Sequence, residues 1–409
     1  MNEPRAVIDF FNGADEKERV YFVGSTLKNP LTYTVGEEIT FKLRVKSKQG
    51  YTDVPYVYYS LEGDDQKRSK GFVEPSEDGW FYITTSLARD GFVHLTANAC
   101  DQNKTILNRV EAFEGGAGAD IDKIECATTV PDDYLDFWKW LKDEVDKCEP
   151  EVLYEEEFFP EGIGNFRVFD MRIKMDNTHY VSLVYSYPKD ATPKSLKLYM
   201  YFTGYGRGSA SPMYMDGKLT VVVNAHSILN RQPSEYYQHL TENGLRAYGF
   251  DDEENKDPKT TYWAKMLMRD LQAVRYFMRH PLFNNKDVIF SGGSQGAMRA
   301  CNLSAHSGVA TACSLNIPWM CDLAAHEKHN RLNGWRPKYQ DGLRYFDTAI
   351  AARYLSCPVD VIAGLGDYVC PPSGVYAMYK QIKSPKMMRF IQNKSHSSVV
   401  PEREIFDVD

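Results

Sequence analysis

From residue 1 to about 113 apolar and polar positions alternate in period two, most clearly at Ile39, Phe41, Leu43 and Val45 in "ITFKLRVK". Alternation of this kind writes strands with one buried face, and Asp-Gly or Gly-Asp turns punctuate it. "PYVYYSLEGDD", "GWFYITTSL" and "GFVHLTANAC" continue the pattern at intervals suited to an immunoglobulin-like sandwich of short antiparallel strands. The glycines of "EGGAGADIDKI" then interrupt it and predict a loop between units.

Pro131 opens "PDDYLDFWKWLKDEV", where Tyr134, Phe137, Trp138, Leu141 and Val145 fall at helical spacing. The expected element is one amphipathic helix whose aromatic stripe covers the domain that follows. After Pro150 the strands "FRVFDMRIKM", "YVSLVYSYP", "LKLYMYFTG" and "LTVVVNAH" become almost continuously apolar, as in a sheet buried on both faces. A helix predicted from about Tyr262 to Arg279 precedes "DVIFSG", and the grammar continues through "VATACSLNIP", "PVDVIAGLG", "PPSGVYAMYKQI" and "KMMRFIQN". Strand alternating with helix gives a mostly parallel sheet covered by helices. The expected division is a β-sandwich over 1–115, a linker and packing helix over 116–150, and an α/β domain over 151–409.

Composition narrows the classes. The 409 residues are 43% hydrophobic, and 56 acidic against 48 basic residues leave a net charge of −8. That balance gives no electrostatic reason to expect nucleic acid or an anionic membrane as partner. Eight scattered cysteines with no Cys-x-x-Cys pair predict buried thiols rather than a zinc ribbon or a disulfide scaffold. No apolar run is long enough to span a bilayer, and "MNEPRAVIDFF" lacks the basic start and apolar core of a signal. As written the chain is expected in the cytoplasm, or in the periplasm or outside if a signal has been trimmed.

The chemistry gathers at "VIFSGGSQGAMRA", where a strand runs through Gly292, Ser294 and Gly296 into a helix. This is the G-x-S-x-G nucleophile elbow. A phosphate loop is the competitor, yet the stretch has neither G-x-G-x-x-G nor a following lysine. A serine nucleophile needs a base and an acid, which this architecture takes from loops after later strands. Asp367 in "VDVIAGLGDYVCPPS" and His396 in "RFIQNKSHSSVVPE" stand in that order. His226, closing "VVVNAH", is the rival base, but it precedes the serine. His326 and His329 in "HEKH" lack a third ligand and the H-E-x-x-H spacing, so no metal is expected. Of the other acids, Asp360 lies within a strand, and Asp322 and Asp347 flank an irregular segment. Oxyanion donors are expected from the backbone N–H of Gln295 and, in the glycine-rich loop "YMYFTGYGRGSA", of Tyr205. Tyr205 is also a candidate wall of the acyl pocket, and Trp319 and Trp335 are candidate faces for a sugar ring.

Together "FTGYGRG", "GYGF", "MRDLQAVRYF", "GGSQGA", "IPWMCD", "GLGDYVCPPS" and the histidine loop give residues from about 120 to 405 a resemblance to the acetyl xylan esterase and cephalosporin C deacetylase family of α/β hydrolases. The resemblance implies an α/β-hydrolase fold, a Ser294–His396–Asp367 triad, and an oxyanion hole at Tyr205 and Gln295. It further implies a cofactor-free esterase that removes acetyl groups from carbohydrates. A peptidase or general acyl hydrolase on the same scaffold, and a carbohydrate-binding protein with a decayed site, are the alternatives. Two departures stand out: Asn230-Arg231-Gln232 where the family commonly has Arg-Gly-Gln, and Ser395-His396-Ser397 where it commonly has Gly-His-Glu. The first weakens the reading of a family-like homo-oligomer, which stays open but is not readable from the sequence. The N-terminal sandwich lies outside the compact family form and is expected to be an appended module that contributes no catalytic residue.

Overall fold

The computed structural model describes residues 19–408, so the opening stretch "MNEPRAVIDFF" lies outside the described residues. Eight strands come first: β1 (Tyr21–Thr26), β2 (Ile39–Ser47), β3 (Gly50–Tyr51), β4 (Tyr56–Gly63), β5 (Arg68–Val73), β6 (Phe81–Thr85), β7 (Gly91–Cys100) and β8 (Phe113–Ala119). They form two antiparallel sheets, one of β1, β2, β3 and β6, the other in the order β5-β4-β7-β8. Ile39, Phe41, Leu43 and Val45 are completely buried between the sheets, as their period-two spacing requires. One expectation fails here. The glycine-rich stretch read as a loop is the strand β8, and the boundary expected at residue 115 falls inside it. Its small residues serve close approach: a Cβ on Gly116 would meet the Leu365 carbonyl oxygen at 2.6 Å.

The helix Tyr134–Asp146 buries Tyr134, Phe137, Trp138, Leu141 and Val145, the five positions that the spacing selects. The Trp138 ring stacks on His306 at 4.1 Å, and the Tyr134 hydroxyl pairs with His306 Nε2 at 2.9 Å. The stripe therefore covers the second domain, on the helix Gln295–His306.

That domain is built on ten strands: β9 (Val152–Phe158), β10 (Phe166–Lys174), β11 (Tyr180–Pro188), β12 (Leu196–Phe202), β13 (Lys218–Val223), β14 (Phe283–Gly293), β15 (Ala312–Asn316), β16 (Val359–Gly364), β17 (Lys386–Ile391) and β18 (Ile405–Val408). Their order is β18-β17-β16-β15-β14-β12-β13-β11-β10-β9. The six from β17 to β13 run parallel, and β9, β10, β11 and β18 pair antiparallel at the flanks. Leu198, Met200 and Phe202 on β12 and Phe290 on β14 are fully buried. Because the central strands are parallel, their carboxyl ends share one edge, and the loops after β12, β14, β16 and β17 meet there. No helix among the described residues is long and apolar enough to cross a membrane.

The two units share a wide contact. Arg331 of the second domain pairs with Asp90 at 2.5 Å and lies 3.6 Å from Asp64, both of the sandwich. The Phe92 and Phe390 rings approach to 5.4 Å, and His94 stacks on Tyr368 at 4.0 Å.

Burial at this contact holds His94 down at about 4 from its ordinary 6.5, and its Nε2 has no hydrogen-bond partner. A histidine kept neutral in the fold but free to protonate when unfolded contributes stability above pH 6.5. That stability is lost as pH falls through the window down to about 4. The slope for one proton is about 1.4 kcal/mol per pH unit. His94→Phe keeps the stacking on Tyr368 and removes the proton acceptor. Its melting temperature is expected to fall less than that of the parent between pH 7 and pH 5 in thermal unfolding. Parallel profiles would show that His94 does not charge on unfolding.

Candidate active site

Ser294 sits between β14 and the helix Gln295–His306 with φ 56° and ψ −122°, a backbone conformation that L-residues rarely hold. Sterics explain the two glycines of the elbow. A Cβ on Gly292 would collide with the backbone of Gly296, and one on Gly296 with the Phe202 carbonyl. The turn is pinned on its far side, where the Ser294 N–H donates to the Asn316 carbonyl at 3.0 Å and the Trp319 N–H donates to the Ser294 carbonyl at 3.3 Å.

Asp367 follows β16 and is completely buried. Its Oδ1 accepts the N–H groups of Val369 at 3.0 Å and Cys370 at 2.9 Å, so the carboxylate is fixed before it meets the histidine. His396 Nδ1 lies 3.0 Å from Asp367 Oδ2 and 3.1 Å from Oδ1. A carboxylate can only accept, so Nδ1 carries the proton and Nε2 is the basic nitrogen. The His396 side chain is 26% exposed, open enough for a substrate to reach.

The Cys370 thiol lies beside these groups. Burial, and then the charge of Asp367, push it well above its ordinary range, with the nearby Ser294 hydroxyl opposing the shift. Asp367, Cys370 and His396 each offer one ligand atom, all within 4.8 Å of one another. The residues do not need a metal: the acid and the base are already bonded to each other, and the thiol is held in its neutral form. All eight cysteines are free thiols.

The loop after β12 brings Tyr205 to the same edge. Its ring stacks on Tyr248 at 4.1 Å and meets Trp335 edge-on at 4.7 Å. The Gln295 side chain ties this loop to the elbow: Oε1 accepts from the Tyr248 hydroxyl at 2.9 Å, and Nε2 donates to the Gly204 carbonyl at 3.3 Å. Of the two tryptophans, Trp335 is 42% exposed and Trp319 only 1%. Trp319 is the floor beneath Trp335, its Nε1 donating to the Trp335 carbonyl at 2.6 Å, and it presents no open face to a sugar.

The rival residues are occupied elsewhere. His226 Nε2 pairs with the Gly206 carbonyl at 2.7 Å and Nδ1 with the Tyr262 hydroxyl at 2.6 Å. Both nitrogens are therefore engaged, and burial pushes the imidazole down to about 3. His226 supports the Tyr205 loop from behind. His326 Nδ1 pairs with the Arg331 carbonyl at 2.8 Å, while Asp360 pairs with Arg389 at 3.1 Å. Asp322 accepts the N–H groups of Ala127 and Thr128, and Asp347 those of Asp322 and Leu323.

Sequence reasoning missed three supports. Arg299, fully buried, pairs with Asp270 and donates to the Thr203 carbonyl at 2.9 Å, which joins the elbow helix to the loop after β12. Asn230, in the triplet that departs from the resembling family, accepts the Ala210 N–H and donates to Asp170, both at 2.9 Å. Glu114 reaches in from the sandwich, its carboxyl pushed up by burial and by the charge of Asp367, with Ser395 opposing the shift. Of the three, the arginine carried a signal as the lone formal charge of its helix.

A family model described as acetyl xylan esterase matches residues 119–405. The acetyl esterase Axe7A of Xylanibacter ruminicola is 26% identical over 287 residues, which are 63% of this chain and 62% of that protein. The chain thus spans under two thirds of the length of this curated relative. Among solved structures, an acetyl xylan esterase from Paenibacillus sp. R4 superposes with a TM-score of 0.56 at 17% identity, covering 68% of this chain and 94% of that one. Acetyl xylan esterase 1 from Thermoanaerobacterium sp. JW/SL YS485 gives 0.54 at 18%, covering 69% and 93%. At such identities the two structures speak for the fold alone, which is of the α/β-hydrolase type.

Proposed function

The chain belongs to the acetyl xylan esterase family, and from that premise we propose that it is a serine esterase removing acetyl groups from carbohydrate hydroxyls. The observation that supports this most directly is the bonding of His396 Nδ1 to a buried, doubly anchored Asp367 at the strand-end edge that carries the Ser294 elbow. His396 Nε2 takes the Ser294 proton as the hydroxyl attacks the acetyl carbonyl, and Asp367 holds the ring in the required tautomer. The negative charge formed on the carbonyl oxygen is received by the backbone N–H groups of Tyr205 and Gln295. Collapse of this intermediate transfers the proton from His396 to the leaving sugar oxygen and leaves an acetyl-enzyme. Water, deprotonated by the same nitrogen, then releases acetate and restores Ser294.

Selection among acyl groups falls to Tyr205. Its ring is locked between Tyr248 and Trp335, so it cannot swing away to admit a longer chain. A wall of this kind discriminates by exclusion. The value of kcat/KM is expected to fall at least about tenfold from acetyl to butyryl esters of one alcohol, and further at octanoyl. Steady-state kinetics on that ester series tests the reading, and values that hold level or rise with chain length would sink it. Acetate release from acetylated xylooligosaccharides, set against hydrolysis of a matched amide, separates the deacetylase from a peptidase on the same scaffold.

A further inference from the structure

The sandwich makes its most specific contact with the second domain at the two residues that lead into the histidine loop. Gln392 is fully buried just beyond β17. Its Oε1 accepts the Gly116 N–H at 2.9 Å, and its Nε2 donates to the Gly116 carbonyl at 2.9 Å and to Ser25 Oγ at 3.1 Å. An amide side chain thus pairs with one residue of β8 as a neighbouring strand would. Asn393 follows with φ 52°, and it bridges two sandwich strands. Its Oδ1 accepts the Glu114 N–H of β8 at 3.1 Å, and its Nδ2 donates to the Phe22 carbonyl of β1 at 2.8 Å.

The acid loop is caught in the same grip. The Gly366 N–H donates to the Lys394 carbonyl at 3.1 Å, and a Cβ at Gly366 would collide with the Glu114 carbonyl. The turn carrying Asp367 is therefore wedged between the histidine loop and β8. Past Asn393 the histidine loop closes on itself in a short turn, Lys394 bridging Val399 and the Ser395 N–H donating to the Ser398 carbonyl at 3.1 Å. Ser395 and Ser398 bond each other through their hydroxyls at 2.7 Å, and Ser397 and Ser398 are exposed.

We propose that the sandwich is a working part of the active site, in which Gln392 and Asn393 are positioning residues that fix the His396 loop by bonding to the backbone of β1 and β8. The inference rests on the triad reading above and extends it to a domain that supplies no reacting group. Small displacements are costly in such sites, since an error of about 1 Å in a reacting group lowers a rate about 100-fold.

The test uses the full chain. Asn393→Gly keeps a residue that accepts the positive φ and removes both side-chain bonds, so the strain at that position does not confuse the result. Gln392→Met keeps the volume and removes the three bonds to the sandwich along with the Asn393 N–H bond to Gln392 Oε1. Both are expected to lower kcat on 4-nitrophenyl acetate about 30- to 100-fold with KM close to unchanged. Both should also broaden or shift the downfield proton resonance of His396 Nδ1–H, which a merely structural loss elsewhere would leave alone. Ile83→Val, in the sandwich core on β6, serves as the destabilised control with parental kcat. If Asn393→Gly does not fold, Gln392→Met decides alone. Parental kcat with an unmoved resonance in a folded variant overturns the proposal, as does an equal loss in Ile83→Val. Ser294→Ala is run beside them: its inactivity together with a fully active Asn393→Gly removes the positioning role and leaves the triad, whereas an active Ser294→Ala removes the triad itself.

Discussion

Ser294→Ala is expected to abolish turnover of 4-nitrophenyl acetate, a loss in kcat of about 10⁵-fold or more, while the protein stays folded. The size of the effect follows from the geometry. No other hydroxyl occupies the elbow, and without it the remaining groups can only bind and polarise the ester. The strain at Ser294 adds a second readout. At φ 56° and ψ −122° a Cβ is held where glycine would rest more easily, so Ser294→Gly should be equally inactive and more stable by about 1 kcal/mol. Rates on the purified variants and urea unfolding midpoints measure both. Residual activity above a tenth of the parent would take Ser294 out of the reaction. A glycine variant no more stable than the alanine one would show that the turn is not strained. The combination matters, because a merely structural serine would not give up stability to hold this conformation.

The site was legible in the sequence where local pattern and chain order act together. Glycines at 292 and 296 are dictated by contacts within the turn, and Asp367 and His396 each follow a strand whose apolar run is visible by itself. The helix Tyr134–Asp146 was equally plain, since one face of five apolar residues can only be an amphipathic helix. What escaped depends on partners distant in the chain. The strand β8 reads as "FEGGAGA" and has the composition of a loop; its Gly115 and Gly116 are crowded by Gln392 and by the Leu365 carbonyl, partners far along the chain. The edge strand β9, "VLYEEEF", has little buried side-chain surface and so no alternation to announce it. His226 looked like a base at a strand end, and only the Gly206 carbonyl and the Tyr262 hydroxyl reveal that both its nitrogens are spent. Trp319 looked like a sugar platform because sequence does not tell which of two neighbouring indoles lies on top.

The comparison of His396→Ala with His226→Ala decides which histidine is the base, and the two changes are expected to differ by several orders of magnitude. His396→Ala should match Ser294→Ala in kcat, because residues of a triad act as a unit, and the double variant should be hardly worse than either single one. The reason lies in the tautomer. Of these two, His396 alone gives its Nδ1–H to a carboxylate, which leaves a basic Nε2 whose protonated form Asp367 can stabilise. His226 donates Nε2–H to a carbonyl and accepts a hydroxyl at Nδ1, and burial makes its charged form unfavourable at any pH where an esterase works. Its removal takes one hydrogen bond from the partly buried Tyr262 hydroxyl and one from the partly buried Gly206 carbonyl. The expected penalty is in stability, about 0.5–1.5 kcal/mol for each lost bond. Any fall in rate should come through a loosened Tyr205 loop and remain far smaller than that of His396→Ala. Pre-steady-state kinetics sharpens the contrast: His226→Ala should still show a burst of 4-nitrophenol, whereas His396→Ala should show none. If the burst vanishes with His226 and persists without His396, the proton passes through the buried imidazole, and the pairing of His396 with Asp367 is structural.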